Sequence, residues 1–247
     1  MVFFHHFTAT LDDWDPRITN GLARHFEVIL FDNVGIGGSE GVAPDTIEAQ
    51  ADDAIAFIKA LGYQKVDILA LSMGGFTAQV VVQKAPELVR KLILTGTGPQ
   101  GSEGLLNITE ALGQASARTP EDPRLFLFYS PSEESQRIGR SVLARMNART
   151  VDRVPKARLE SIQNQLKAIL AWGHPQDGSL EKLRAVNHPV WVVNGSHDIM
   201  VPTINSYTLF HYLPNAWLSL YPDSGHGAMF QYGERFVKEA TEFLLAA

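Results

Sequence analysis

The chain contains no cysteine. That excludes disulfides, thiolate-bound zinc and a cysteine nucleophile, and it suits a reducing compartment. There is also no run of lysine or arginine. With 21 basic and 27 acidic side chains the net charge is −6, which argues against a nucleic-acid or anionic-membrane footprint. No window approaches the roughly 20 consecutive apolar residues of a membrane span. The opening Met1-Val2-Phe3-Phe4-His5-His6-Phe7 lacks the basic region, long apolar stretch and cleavage site of a signal peptide. Internal repeats and low-complexity tracts are missing as well. These absences predict a cytoplasmic protein with no membrane or nucleic-acid partner.

What is present suits an ordinary globular enzyme. A length of 247 residues fits one large α/β domain, or a core with an insertion. Short β-type runs recur at Val2–His5, Val28–Asp32, Val66–Leu71, Leu92–Thr95, Val190–Asn194 and Trp217–Tyr221. Most are continuously apolar, as expected of strands covered on both faces. Between them lie helical stretches. The clearest runs from Asp45 to Leu61, with Asp45 as the expected cap, Glu48 three residues on and Gly62 as the stop. The alternation predicts a mostly parallel sheet flanked by helices. It breaks after Thr95. Residues 101–184 read as helices divided by Pro120, Pro123, Pro131, Pro155 and Pro175. We expect a core of residues 1–100 and 185–247, with 101–184 as a helical lid.

The chemistry centres on Ala70-Leu71-Ser72-Met73-Gly74-Gly75. A strand ends in a small residue, then X-Ser-X-Gly, then a helix. This is the arrangement of a nucleophile elbow, in which a sharp turn lifts the serine to a helix N-terminus. A serine hydroxyl is a weak nucleophile and needs a base. Asp198 follows the Val190–Asn194 strand, and His226 follows the Trp217–Tyr221 strand. The order Ser, acid, His and the positions past strand ends suit a triad of Ser72, Asp198 and His226. No carboxylate follows Leu92–Thr95 to compete with Asp198. For the oxyanion, the N–H of Met73 is one expected donor and the N–H of Phe7 the other.

Several other features carry no chemistry. Gly35-Ile36-Gly37-Gly38 lacks the third glycine and the following helix of a dinucleotide fingerprint. The histidines show no ligand spacing, so neither metal nor cofactor is predicted. Asp12, Asp13 and Asp15 read as a solvated loop and helix start, and Asp52 and Asp53 as the polar side of their helix.

With these residues in hand, the chain resembles the α/β-hydrolase fold superfamily, in the branch of small bacterial esterases and non-haem haloperoxidases. His5-His6-Phe7 stands where the family has His-Gly-Phe. Phe31–Ser39 resembles its Asp-X-X-Gly-X-Gly-X-Ser loop, and Pro86–Leu94 its Pro-Glu-X-Val-X-X-Leu segment. His6 replaces a glycine, so the oxyanion loop is expected to take a different path. The chain begins at the family's third strand, so the first two strands of the usual fold are expected to be missing. The resemblance implies hydrolysis of a small or medium hydrophobic ester or lactone, by a monomer or homodimer. The alternatives are a cofactor-free haloperoxidase or perhydrolase, and a small-molecule receptor built on the same fold. Candidate substrate contacts are His6, Phe126, Phe128, Tyr129, Trp172 and Met229. The alternative for the lid aromatics is simple packing onto the core.

Overall fold

The computed structural model describes residues 1–246. Five parallel strands form one sheet in sequence order: β1 (Val2–Phe4), β2 (Val66–Leu71), β3 (Val89–Thr95), β4 (Val190–Gly195) and β5 (Ala216–Tyr221). The core helices are α1 (Pro16–Leu22), α2 (Ile47–Ala60), α3 (Met73–Lys84), α9 (Ile204–Tyr212), α10 (Ala228–Gln231) and α11 (Gly233–Leu245). Between β3 and β4 come α4 (Ile108–Arg118), α5 (Arg124–Phe128), α6 (Glu133–Met146), α7 (Leu159–Gly173) and α8 (Ser179–Leu183). Among the described residues, no strand interrupts this helical insertion and no helix is long and apolar enough to cross a membrane.

Strand register decides which side chains cover which face. Phe3, Leu69, Ile93, Trp191 and Trp217 are partners across the sheet and share one face. Trp14, just before α1, meets Phe3 edge-on at 4.8 Å, and Phe236 of α11 stacks on Trp191 at 5.3 Å. Helices α1 and α11, packed on each other, therefore cover that face. Helix α3, with α2 against it, crosses the other. β2 is buried along its whole length, and its one charged side chain, Asp67, is paired with Arg90 of β3 at 2.6 Å. β5 is the edge and leaves Trp217 and Leu220 exposed.

Three expectations are corrected. Val28–Asp32 is not a strand; Ile29 makes only an isolated bridge to Val2. Side chains compete for the rest of this segment. The Phe31 carbonyl is taken by His5 Nε2, and the Asp32 carboxylate accepts the N–H groups of Leu11 and Gly38, each at 2.8 Å. Second, α2 is capped by Thr46, whose hydroxyl accepts from the Ala49 N–H at 3.2 Å. Glu48 then falls too early to close a capping box, and Asp45 pairs with Lys167 instead. Third, Asp12, Asp13 and Asp15 are not a solvated loop. Each binds arginines of the insertion: Asp12 pairs with Arg149 and Arg153, Asp13 with Arg124, and Asp15 with Arg145. Asp15 is fully buried and also caps α1 through the Arg17 N–H. Asp52 and Asp53 are exposed, as expected.

Replacing Asp15 by alanine removes a cap and leaves Arg145 without its buried partner. The expected cost is about 3 kcal/mol, read as a drop in the urea midpoint. A loss below about 0.5 kcal/mol would show that this pair does not anchor the insertion.

Candidate active site

Ser72 joins the end of β2 to the first turn of α3. Its backbone is left-handed, with φ 58° and ψ −121°, a conformation that costs a non-glycine residue about 1–3 kcal/mol. A side chain at Gly74 would run into the carbonyls of Phe4 and His5, and one at Gly75 into Thr97. The small residues read from the sequence are therefore dictated by close approach of β1 and the loop after β3.

His226 and Asp198 meet as expected. His226 Nδ1 lies 2.8 Å from Asp198 Oδ2, and both side chains are almost fully buried. The other carboxylate oxygen accepts the N–H groups of Met200 at 2.8 Å and Val201 at 3.0 Å. An acceptor so occupied orients Nδ1 as the donor, which leaves Nε2 as the unprotonated nitrogen. Nε2 is buried without a protein partner. The register pairs Leu71 with Thr95, so Ser72 stands opposite Gly96. The Gly96 backbone, at φ 51°, abuts the His226 imidazole, where a methyl group would sit tightly, at 3.1 Å from Nδ1. The serine and histidine thus flank one glycine, a role the sequence does not announce.

The loop after β1 turns at an identifiable residue. His6 does not carry a positive φ; Thr8 does, at 61°. The Thr8 N–H donates to Gln165 Oε1 of α7 at 2.9 Å, which fixes the turn. Among the described residues, neither the Phe7 nor the Met73 N–H is paired with a protein acceptor.

The two histidines of this loop differ. His5 Nδ1 accepts from the Trp14 indole at 2.7 Å, so its Nε2 donates to Phe31. This fully buried ring is held neutral, its pKa lowered by burial. His6 meets Phe128 edge-on at 5.3 Å, and Phe128 meets His226 at 5.4 Å. His6 Nε2 is buried without a partner, and burial pushes its pKa down to about 3.

Of the remaining candidates, Met229 is engaged through sulfur by the Thr95 hydroxyl at 3.3 Å. Trp172 stacks on Phe76 at 5.4 Å, and Phe126 lies beneath the Arg118 guanidinium. The Tyr129 ring packs on Gly139, and its hydroxyl is buried with no partner. Only His6 and Phe128 join the His226 cluster directly. Phe128 also contributes through its backbone. The carbonyls of Leu127 and Phe128 accept the N–H groups of His226 and Gly227, at 3.3 and 2.9 Å. Gly225 and Gly227 allow this approach, because side chains there would strike Phe128. Asp223, two residues before Gly225, is bonded by the hydroxyls of Ser130 and Ser132. Ser72, Asp198 and His226 are 4, 6 and 2% exposed. Two clefts, one against α2 and the loop 31–44 and one between α3 and α8, include none of these three residues.

The buried histidines set an acid limit. A histidine whose folded pKa lies below its unfolded value of 6.5 takes up its proton first in the unfolded chain. Its contribution is complete above about pH 6.5 and is lost as pH falls toward 3. The urea midpoint should therefore drop between about pH 7 and pH 5, by about 2 kcal/mol from His6 alone. His6→Gln should flatten that dependence. An unchanged pH profile in the variant would count against His6 as its source.

Comparison with known proteins places this geometry in context. A family model described as alpha/beta hydrolase fold matches residues 1–231. An alpha/beta hydrolase fold protein from Chitinophaga pinensis shares 43% identity and a TM-score of 0.95, over 100% of this chain and 89% of that one. A 2-hydroxymuconate semialdehyde hydrolase from Pseudomonas putida is 30% identical, over 89% of this chain and 77% of its own length. A Mycobacterium tuberculosis structure, provisionally named a non-heme bromoperoxidase, is 25% identical with a TM-score of 0.77. That match covers 98% of this chain and 90% of the other.

Proposed function

Because the chain belongs to the alpha/beta hydrolase fold family, we propose that it is a serine hydrolase cleaving small or medium hydrophobic esters or lactones through an acyl-enzyme. One observation carries the proposal. A strained serine at a helix N-terminus shares a glycine wall with a buried histidine whose Nδ1 is bound by a carboxylate and whose Nε2 is free.

In this mechanism His226 Nε2 takes the Ser72 proton as Oγ attacks the carbonyl carbon. Asp198 holds the imidazole in the required tautomer and stabilises its charged form. Two backbone donors on its other oxygen hold the Asp198 carboxylate in place. The unpaired N–H groups of Met73 and Phe7 receive the oxyanion. The imidazolium then protonates the departing alcohol. Water, activated by His226, clears the acyl group. The Phe128 ring against the imidazole favours an apolar substrate. The near-complete burial of the three residues supports a lid role for the insertion, with its displacement admitting substrate.

The likeness to a protein named a bromoperoxidase supports a second reading of the same site. Hydrogen peroxide in place of water would convert the acyl-enzyme to a peracid and regenerate Ser72. A small-molecule receptor remains distinguishable from both, because it would accept a fluorophosphonate at Ser72 without turning over any ester.

The test is hydrolysis of p-nitrophenyl acetate and butyrate. Ser72→Ala should cut turnover on the order of 10⁴–10⁶-fold, and Asp198→Asn about 10⁴-fold. Undiminished turnover in Ser72→Ala would overturn the mechanism.

A further inference from the structure

The turn that carries His226 is strained, and the insertion holds it. Among the described residues, the non-glycine positions with positive φ are Thr8, Ser72, Asp152 and Asp223. Asp223, at 46°, stands three residues before His226. Such a backbone persists where its surroundings over-determine it. Both oxygens of the Asp223 carboxylate accept serine hydroxyls of the insertion, one from Ser130 and the other from Ser132 at 2.6 Å. The Asp223 carbonyl accepts Gln231 Nε2 at 2.7 Å. Gln231 Oε1 accepts the Ser135 hydroxyl at 2.7 Å, and Ser135 Oγ accepts the Ser130 N–H at 3.0 Å. Asp223, Ser130, Ser135 and Gln231 thus close a ring of hydrogen bonds between the insertion and the core. The hydroxyls of Ser130 and Ser132 also hold the Asp223 carboxyl below the usual carboxylate range.

From Asp223 the hold passes along the backbone to the imidazole. Ser224 is fully buried, and its carbonyl accepts the His197 N–H at 2.9 Å. That bond joins the turn to the residue before Asp198. Ser224 Oγ donates to the Tyr221 carbonyl at 2.9 Å, which ties the turn to the end of β5. The loop that bears Phe7 repeats the pattern. There Thr8 is the left-handed residue, and Gln165 of the insertion holds its N–H.

We propose that Asp223 is a positioning residue for His226: clamped by Ser130 and Ser132, it fixes the turn that sets the imidazole against Asp198. Its carboxylate bonds to neither Ser72 nor His226, so it acts through the turn. Its kinetic consequence rests on the serine-hydrolase reading; its effect on the imidazole does not.

Two variants of the full chain separate positioning from mere turn formation. Asp223→Asn keeps the shape and tolerates a left-handed backbone, but its Nδ2 cannot accept a hydroxyl. Asp223→Gly adopts the turn without strain and removes the clamp. On p-nitrophenyl butyrate, each should lose about 10–100-fold in kcat, with KM changed by no more than about twofold. Ser130→Ala combined with Ser132→Ala should lose as much. Adding Asp223→Asn to that pair should cost nothing further, because the three side chains act as one unit. The second readout needs no turnover. The ¹⁵N shifts of the His226 ring, assigned with His226→Gln, should show Nδ1 protonated in the unaltered protein and a mixture of tautomers in Asp223→Gly. A ring unchanged in Asp223→Gly would overturn the role whatever the kinetics. So would full kcat in that variant, a loss confined to KM, or additive losses. If the unaltered protein turns over no ester, the hydrolase reading fails and the ring shifts alone decide the role of Asp223.

Discussion

The backbone at Ser72 is left-handed, and a serine does not rest there unaided. Three hydrogen bonds hold the turn. The Ser72 N–H donates to the Thr95 carbonyl at 2.9 Å. The Ser72 carbonyl accepts the Gly75 N–H at 2.8 Å and the Thr97 hydroxyl at 2.9 Å. β2, β3 and α3 all contribute, and β1 closes against Gly74. Much of the core's packing converges on this point. An order of magnitude explains why it can. Strain of about 1–3 kcal/mol is small beside the burial of a sheet whose central strands are almost wholly buried.

Polar groups in the interior fall into two classes. Most are fully partnered, such as His5 between Trp14 and Phe31, or Asp198 with two amides and an imidazole. A few have one side committed and one free, among them His226, Gln50 and Gln165. Partnered groups build the scaffold. Half-partnered ones are oriented by their bound side, which fixes the direction of the free atom. His6 belongs with the second class, and its low pKa keeps it uncharged beside His226.

The strands and the serine turn were legible because their signals are local: apolar runs, small residues at fixed offsets, and strand-end positions for Asp198 and His226. β2 matches its sequence-based limits, and the other named strands shift by a few residues at most. What was not legible depends on partners far away in the chain. Asp12, Asp13 and Asp15 look solvated until Arg124, Arg145 and Arg149 arrive from more than a hundred residues downstream. The Val28–Asp32 run has strand chemistry, but His5 and Asp32 take its hydrogen-bonding capacity elsewhere. Gly96 and Gly227 carry no local sign of the imidazole and phenyl rings they accommodate, nor Gly225 of the Phe128 backbone against it. The departure at His6 was visible, whereas its remedy, a left-handed Thr8 tied to Gln165, was not.

The strap between Leu127–Phe128 and His226–Gly227 bears on how such a molecule changes over generations. Its two bonds join the helical insertion to the segment that bears the imidazole. A foreign insertion grafted between β3 and β4 would have to bring two carbonyls to the same places, or the imidazole would lose its footing. Recombination of whole insertions is thereby penalised, whereas point changes on the solvent side of α4 and α6 are not. New specificities should arise in this lineage by gradual repainting of the existing helices rather than by exchange of cassettes.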